Sequence, residues 1–121
     1  MTAAEKLDLA QKHLERVQAA WDPPDWADLS LYGFYALEAA VEAACLHLGM
    51  TTQKAHWARV GAAEGLHRDH GLADVSALLR DLNETRKSEA YGDVDAPELD
   101  AEDVATKIGL YVDSVAKLLG A

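Results

Sequence analysis

The fold is decided by residues 29–48, which read LSLYGFYALEAAVEAACLHL. Apolar residues occupy two faces of this segment at helical spacing, and only Glu38, Glu42 and His47 interrupt them. A helix that is apolar most of the way around is usually buried, and five alanines between residues 36 and 44 would let neighbouring helices approach closely. The three polar residues make the segment too polar for a comfortable membrane span. It therefore predicts the central helix of a soluble bundle.

Four further helices are predicted around this segment from apolar residues that recur every three or four positions. Thr51 or Thr52 is predicted to cap the third helix, and Asp100 the last one. No stretch alternates with a period of two, so no sheet is expected. The sequence predicts an all-α fold, an up-and-down four-helix bundle with an additional short helix, in a single domain over residues 1–121. The predicted helices lie at about 2–21, 25–48, 51–71, 75–92 and 100–120.

Charge is unevenly distributed over the 121 residues, whose net charge is −10. Residues 1–51 hold eight acids and three bases, residues 52–90 hold six of each, and residues 91–121 hold seven acids and two bases. Such a chain lacks the basic surface that stable binding of duplex DNA requires. A transient contact with RNA near the neutral segment, residues 52–90, is compatible with this distribution of charge. The acidic run from Asp93 to Asp103 is either a solvated loop or a docking site for a basic partner.

The single cysteine, Cys45, allows no intramolecular disulfide, which fits a reducing compartment. The first residues lack the basic and then apolar pattern of a signal peptide. We therefore expect a cytoplasmic protein that does not span a membrane.

Arg86 is the most informative single residue. The apolar stripe Val75, Leu79 and Leu82 continues directly onto position 86, so a guanidinium lies in line with core residues. Because an unpaired buried charge costs several kcal/mol, we expect an ion pair from Arg86 to Glu38 or Glu42. The alternative is that Arg86 ends the stripe at the rim of the bundle and reaches water.

Two segments resemble the HEPN domain family. Residues 82–93 (LNETRKSEAYGD) resemble the region where that family has an Arg, four intervening residues and a His at the end of a late helix. Residues 35–44 (YALEAAVEAA) resemble its alanine-rich second helix with an embedded acid. The resemblance extends from about Asp25 to Leu119.

The resemblance implies metal-independent RNA cleavage, without a cofactor, by a toxin that is paired with a nucleotidyltransferase-fold antitoxin. It also implies a homodimer in which the Arg and His of both subunits line one cleft. Arg86 matches the Arg, whose charge would stabilise phosphate in the transition state. Tyr91 stands in place of the His, and a phenol with a pKa of about 10 is a poor general base at neutral pH. Asp93 stands where some members carry a modifiable Tyr.

Three functional hypotheses follow. The first is a HEPN-like dimer without activity, which acts as a binding or regulatory module. The second is an active ribonuclease that uses Arg86 and Tyr91, helped by Ser88 or Glu89. The third is a metal-binding bundle that uses Glu38, Glu42, Glu64 and His67, because Glu64 and His67 have the Glu-x-x-His spacing of di-iron bundles. A second such pair is missing from the sequence, and solvated or capping histidines are the default interpretation.

Overall fold

The structure is a computed structural model that describes residues 1–92 and 95–120. Over these residues it contains five α-helices and no strand. The all-α prediction is confirmed. The helices are α1 (Ala3–Ala20), α2 (Trp26–His47), α3 (His56–His70), α4 (Ser76–Tyr91) and α5 (Ala101–Leu118).

Side-chain caps start three of the helices near the predicted positions. Thr2 forms a reciprocal capping box with Glu5 at the start of α1, in which each side chain accepts a hydrogen bond from the other residue's backbone N–H. Asp25 and Asp100 cap α2 and α5, and each accepts a hydrogen bond from the backbone N–H three residues later. These local bonds satisfy donors that have no partner inside the helix.

The predicted start of α3 is wrong. The helix begins at His56 after Ala55, which has no side chain that could cap it, and neither Thr51 nor Thr52 serves as the cap. The Thr52 hydroxyl instead donates to the carbonyl of Gln53 at 3.2 Å. Threonine side chains often bond to nearby backbone in this way in place of capping a helix.

The central position predicted for α2 is confirmed, since α2 contacts all four other helices. Its most extensive contact is with α1, while α4 and α5 both pack on α2 with little direct contact with each other. Thirteen of its residues are buried, and they include all five alanines between residues 36 and 44. Small side chains at these positions allow the helices on several sides to pack closely.

At Gly33, side chains of α4 and α5 both approach the backbone of α2 closely. A Cβ atom at this position would lie 2.8 Å from Cδ1 of Ile108 and 3.4 Å from Cδ1 of Leu82. Leu82 and Ile108 are both fully buried. The missing side chain of Gly33 therefore makes room for residues from both neighbouring helices.

By length and composition alone, α2 could cross a membrane. The core helix of a soluble protein meets the same criteria, and 67% of the apolar window in α2 is buried inside the bundle. The burial of this helix by protein is consistent with a soluble bundle.

Candidate functional site

The two acids of the central helix, Glu38 and Glu42, lie one turn apart and share one cation. Their side chains are only 14% and 11% exposed. Arg59 of α3 donates from Nη1 to Oε2 of Glu38 at 2.9 Å and from Nε to Oε1 of Glu42 at 2.6 Å. It also donates to the carbonyl of Lys54 just before α3. Arginine suits this role because its planar guanidinium presents several donors in fixed directions.

A second cation reaches the same cluster from α1. Lys6 Nζ lies 2.6 Å from Oε2 of Glu42, and the Lys6 side chain is 24% exposed. Glu42 therefore joins α1 and α3 to α2 through its two oxygens. Each buried carboxylate is compensated, as the cost of burying a charge requires.

The two carboxylates respond differently to this environment. Burial raises the pKa of Glu38, and the attraction of Arg59 only partly opposes that effect. Burial also acts to raise the pKa of Glu42, but hydrogen bonds from Lys6 and Arg59 outweigh it and leave that pKa below its ordinary value. Glu42 bonds to two cations and Glu38 bonds to one, which accounts for the opposite directions of their pKa shifts.

The predicted ion pair of Arg86 with Glu38 or Glu42 is wrong, because Arg59 and Lys6 hold these carboxylates. Arg86 is half-buried and donates from Nη2 to the amide oxygen of Asn83 at 2.7 Å. Its guanidinium carbon lies 4.9 Å from the centre of the Phe34 ring, within the range of a cation–π interaction. Its charge still acts against the rise in the pKa of Glu38, although less than the charge of Arg59 does.

Tyr91 is not beside Arg86 within one chain. The two residues are five positions apart on α4, which places them about 140° apart around the helix axis. Tyr91 is 74% exposed at the end of the helix. Ser88 is half-buried, and its carbonyl accepts a hydrogen bond from Gly92 at 2.8 Å. Asp93, the position expected for a modifiable Tyr, lies outside the described residues.

His56 is a neighbour of Arg86 that the sequence alone did not single out. Its ring centre lies 5.3 Å from that of Phe34, the same ring that Arg86 contacts. Its Nδ1 atom is buried and has no hydrogen-bond partner among the described residues. Burial, followed by the nearby charges of Lys87 and Arg86, lowers the pKa of His56. The ring is therefore neutral at physiological pH.

An open cavity of about 450 Å³ lies between parts of α3 and α4, and His56 is one of its lining residues. Trp57 lies on its edge with 70% of its surface exposed. Arg80 also lines the cavity, but it is paired with Glu64 at 3.0 Å. The remaining residues around the cavity are Val60, Asn83, Glu84 and Lys87.

The structure does not bring the residues of the metal hypothesis together. Glu38 and Glu42 bind Arg59, and Glu64 binds Arg80. The Nδ1 atom of His67 is 2.8 Å from the carbonyl of Leu72. Within residues 1–92 and 95–120, no group of three His, Cys, Asp or Glu side chains is arranged to hold a metal ion.

The chain matches no model of a known protein family and no curated protein. The HEPN resemblance of residues 35–44 and 82–93 accordingly stays a prediction.

Proposed function

We propose that this protein is a HEPN-like interaction module without a ribonuclease centre of its own. It acts in the cytoplasm as a homodimer within a toxin–antitoxin-like system. Its partner there is a nucleotidyltransferase-fold protein.

The observation that carries this proposal is the environment of Arg86. Its guanidinium bonds to Asn83 and packs on Phe34, and both partners are themselves buried. A phosphate-binding arginine needs free donors that point toward its ligand. Here Nη2 is engaged by Asn83, and Nε is buried without a hydrogen-bond partner among the described residues, so neither donor is presented to a ligand. Tyr91, about 140° away around α4, offers no base beside the guanidinium. These contacts favour a structural role for Arg86.

The net charge of −10 also favours a protein partner over RNA. RNA binding gains affinity from basic residues that neutralise phosphates. The three cations near His56 other than Arg86 each have an acid nearby, namely Arg59 with Glu38 and Glu42, Arg80 with Glu64, and Lys87 with Glu84.

RNA cleavage with Arg86 is the alternative, and the position of His56 is the observation that favours it. His56 and Arg86 contact the same Phe34 ring, and a neutral histidine can accept a proton at physiological pH. Tyr91 has no such neighbour in the described structure. In this alternative Arg86 would stabilise phosphate charge and His56 would move the proton.

The deciding experiment is a ribonuclease assay with purified protein on single-stranded RNA, in the presence of EDTA. The variants are Arg86→Ala, His56→Ala and Tyr91→Phe, each with its mass measured in solution and its fold checked by circular dichroism. We expect a dimer that cleaves no RNA. Cleavage by the wild type would refute the proposal. Its loss in both Arg86→Ala and His56→Ala, but not in Tyr91→Phe, would establish the alternative with His56.

A further inference from the structure

A groove runs between α4 and α5. Because both helices pack on α2 with little contact with each other, α2 alone does not close the space between them. The groove encloses about 320 Å³. Its apolar lining comes from Val75, Ala77, Leu78, Leu99, Val104 and Leu110.

Leu110 is the most exposed leucine in this lining, with 62% of its surface accessible. The buried residues of α5 include Val104, Ile108, Tyr111 and Val115. By helical geometry Leu110 lies about 100° or more around the helix axis from each of them, on the same side as Asp103 and Ser114. It thus extends the apolar surface of the groove into solvent.

The Tyr111 side chain lines the same groove and carries a polar group without a partner. Tyr111 is 1% exposed, and its hydroxyl has no hydrogen-bond partner among the described residues. Burial raises the pKa of this phenol, so it stays protonated and can donate a hydrogen bond. Because the hydroxyl is itself buried, it is not part of the accessible surface of the groove.

The rim of the groove is acidic. Asp74, Asp81 and Asp103 line it, and Lys107 is the one basic residue among the lining residues. Lys107 is paired with Asp103 at 2.9 Å, so its charge is already compensated. The rim therefore keeps a net negative charge.

We propose that this groove binds a basic amphipathic helix of a partner protein, with apolar residues against Leu78, Leu99 and Leu110 and Lys or Arg against the rim. An apolar groove can bind the apolar face of an amphipathic helix. Acidic residues on both sides favour positive charge beside the apolar stripe. This inference rests on the proposed function only in assuming that the protein acts by binding another protein.

A second copy of this chain does not fit the groove electrostatically. None of the five helices carries a net positive charge, counting Asp and Glu against Lys and Arg. A symmetric contact through the groove would set one acidic rim against another, and like charges across an interface oppose association. The occupant is therefore a different chain.

The test uses two synthetic 14-residue helical peptides with leucine at positions i, i+3, i+4 and i+7. One peptide has lysine at the polar positions and the other has glutamate. Binding to the isotopically labelled full chain is measured by amide chemical shifts and by fluorescence anisotropy at several salt concentrations. We expect the lysine peptide to bind, to shift amides of α4 and α5, and to bind more weakly as salt rises. We expect no binding of the glutamate peptide.

Matched variants locate the contact. Leu110→Lys should raise the dissociation constant at least about tenfold, as expected for an anchor leucine, and Asp81→Asn should weaken binding and its salt dependence. Leu46→Lys and Asp8→Asn, exposed substitutions outside the groove, should change neither. All four variants are checked for unchanged thermal unfolding.

Several results would overturn the inference. These are shifts that map elsewhere, equal effects of Leu110→Lys and Leu46→Lys, equal binding of the glutamate peptide, or loss of a homodimer in Leu110→Lys. The ribonuclease assay is independent of these measurements. RNA cleavage would refute the proposed function. The amide chemical shifts would still decide whether the groove binds the lysine peptide.

Discussion

Arg59 and Glu42 form an ion pair between α3 and α2, with Nε of the arginine 2.6 Å from Oε1 of the glutamate. The pair is mostly buried, with the side chains 16% and 11% exposed. Through it α3, which has no side-chain cap at its start, is tied to the central helix. The acids embedded in the apolar surface of α2 thus have a structural explanation that does not involve catalysis.

Glu42→Gln should destabilise the protein more than Glu38→Gln. Removing one charge from a buried pair costs roughly 3–5 kcal/mol when nothing replaces it. Because glutamine keeps an acceptor and the site is partly exposed, we expect a loss of about 2 kcal/mol in the free energy of unfolding for Glu42→Gln. Burial opposes ionisation of Glu38, so Glu38→Gln should cost less than about 1 kcal/mol. Urea unfolding at pH 7 measures both.

The difference between the wild type and Glu42→Gln should depend on pH. The pKa of Glu42 is lowered by folding, so its contribution to stability is present above its unfolded pKa of about 4.3. That contribution is lost as the pH falls through the lower pKa of the folded state. Urea unfolding at pH 7, 5 and 3 should show the difference narrowing toward pH 3. A constant difference would mean that packing, not charge, is responsible.

Arg59→Lys should also be destabilising, although the charge is kept. A lysine cannot reach Glu38, Glu42 and the Lys54 carbonyl with separate donors in fixed directions. We expect a loss of about 1–2 kcal/mol, since more than one charge-assisted hydrogen bond disappears. Arg68→Lys is the control, because Arg68 is 72% exposed and bonds only its neighbour Asp69. Equal thermal unfolding of the two variants would contradict the structure.

Two glycines within helices should respond in opposite ways to alanine. At Gly61 of α3 the added Cβ would meet no heavy atom within 4 Å among the described residues, apart from its chain neighbours and the backbone of its own helix. Gly61→Ala should therefore stabilise by about 0.5–1 kcal/mol through helix propensity. At Gly33 the Cβ would lie 2.8 Å from the buried Ile108 Cδ1. The cost of overpacking at this position, about 1–3 kcal/mol, should cancel or exceed the gain in helix propensity that alanine brings. Calorimetry that showed equal stabilisation would refute the close approach of α5 to Gly33.

The thiol of Cys45 should not react in the folded protein. Cys45 is fully buried on α2, and burial together with the charge of Glu42 raises its pKa. Because the thiolate is the reactive form, a thiol reagent at pH 8 should label the protein only when it unfolds. The labelling rate should rise steeply across the urea transition. Rapid labelling without urea would show that α2 is accessible in the native state.

The sequence by itself determined the helices, because their signals are local. Apolar residues every three or four positions, the cap Asp100, and the apolar residues 29–48 predicted four helix starts and the central helix. Hydrogen bonds within a helix and its caps join residues close in sequence, so a local pattern suffices to predict them. The start of α3 was missed because Thr52 bonds to its own neighbouring backbone instead of capping a helix.

Only the tertiary structure decided which charges meet. The sequence showed that Glu38 and Glu42 needed a cation, but Arg59, Arg86 and Lys6 were equally available, and the choice of Arg86 was wrong. Contacts between residues 17 to 36 positions apart depend on how α1 and α3 pack against α2, which no local pattern encodes. Packing likewise placed His56 and Arg86 on one Phe34 ring. Burial makes an unpaired charge costly wherever it lies, and helix packing selects the partner.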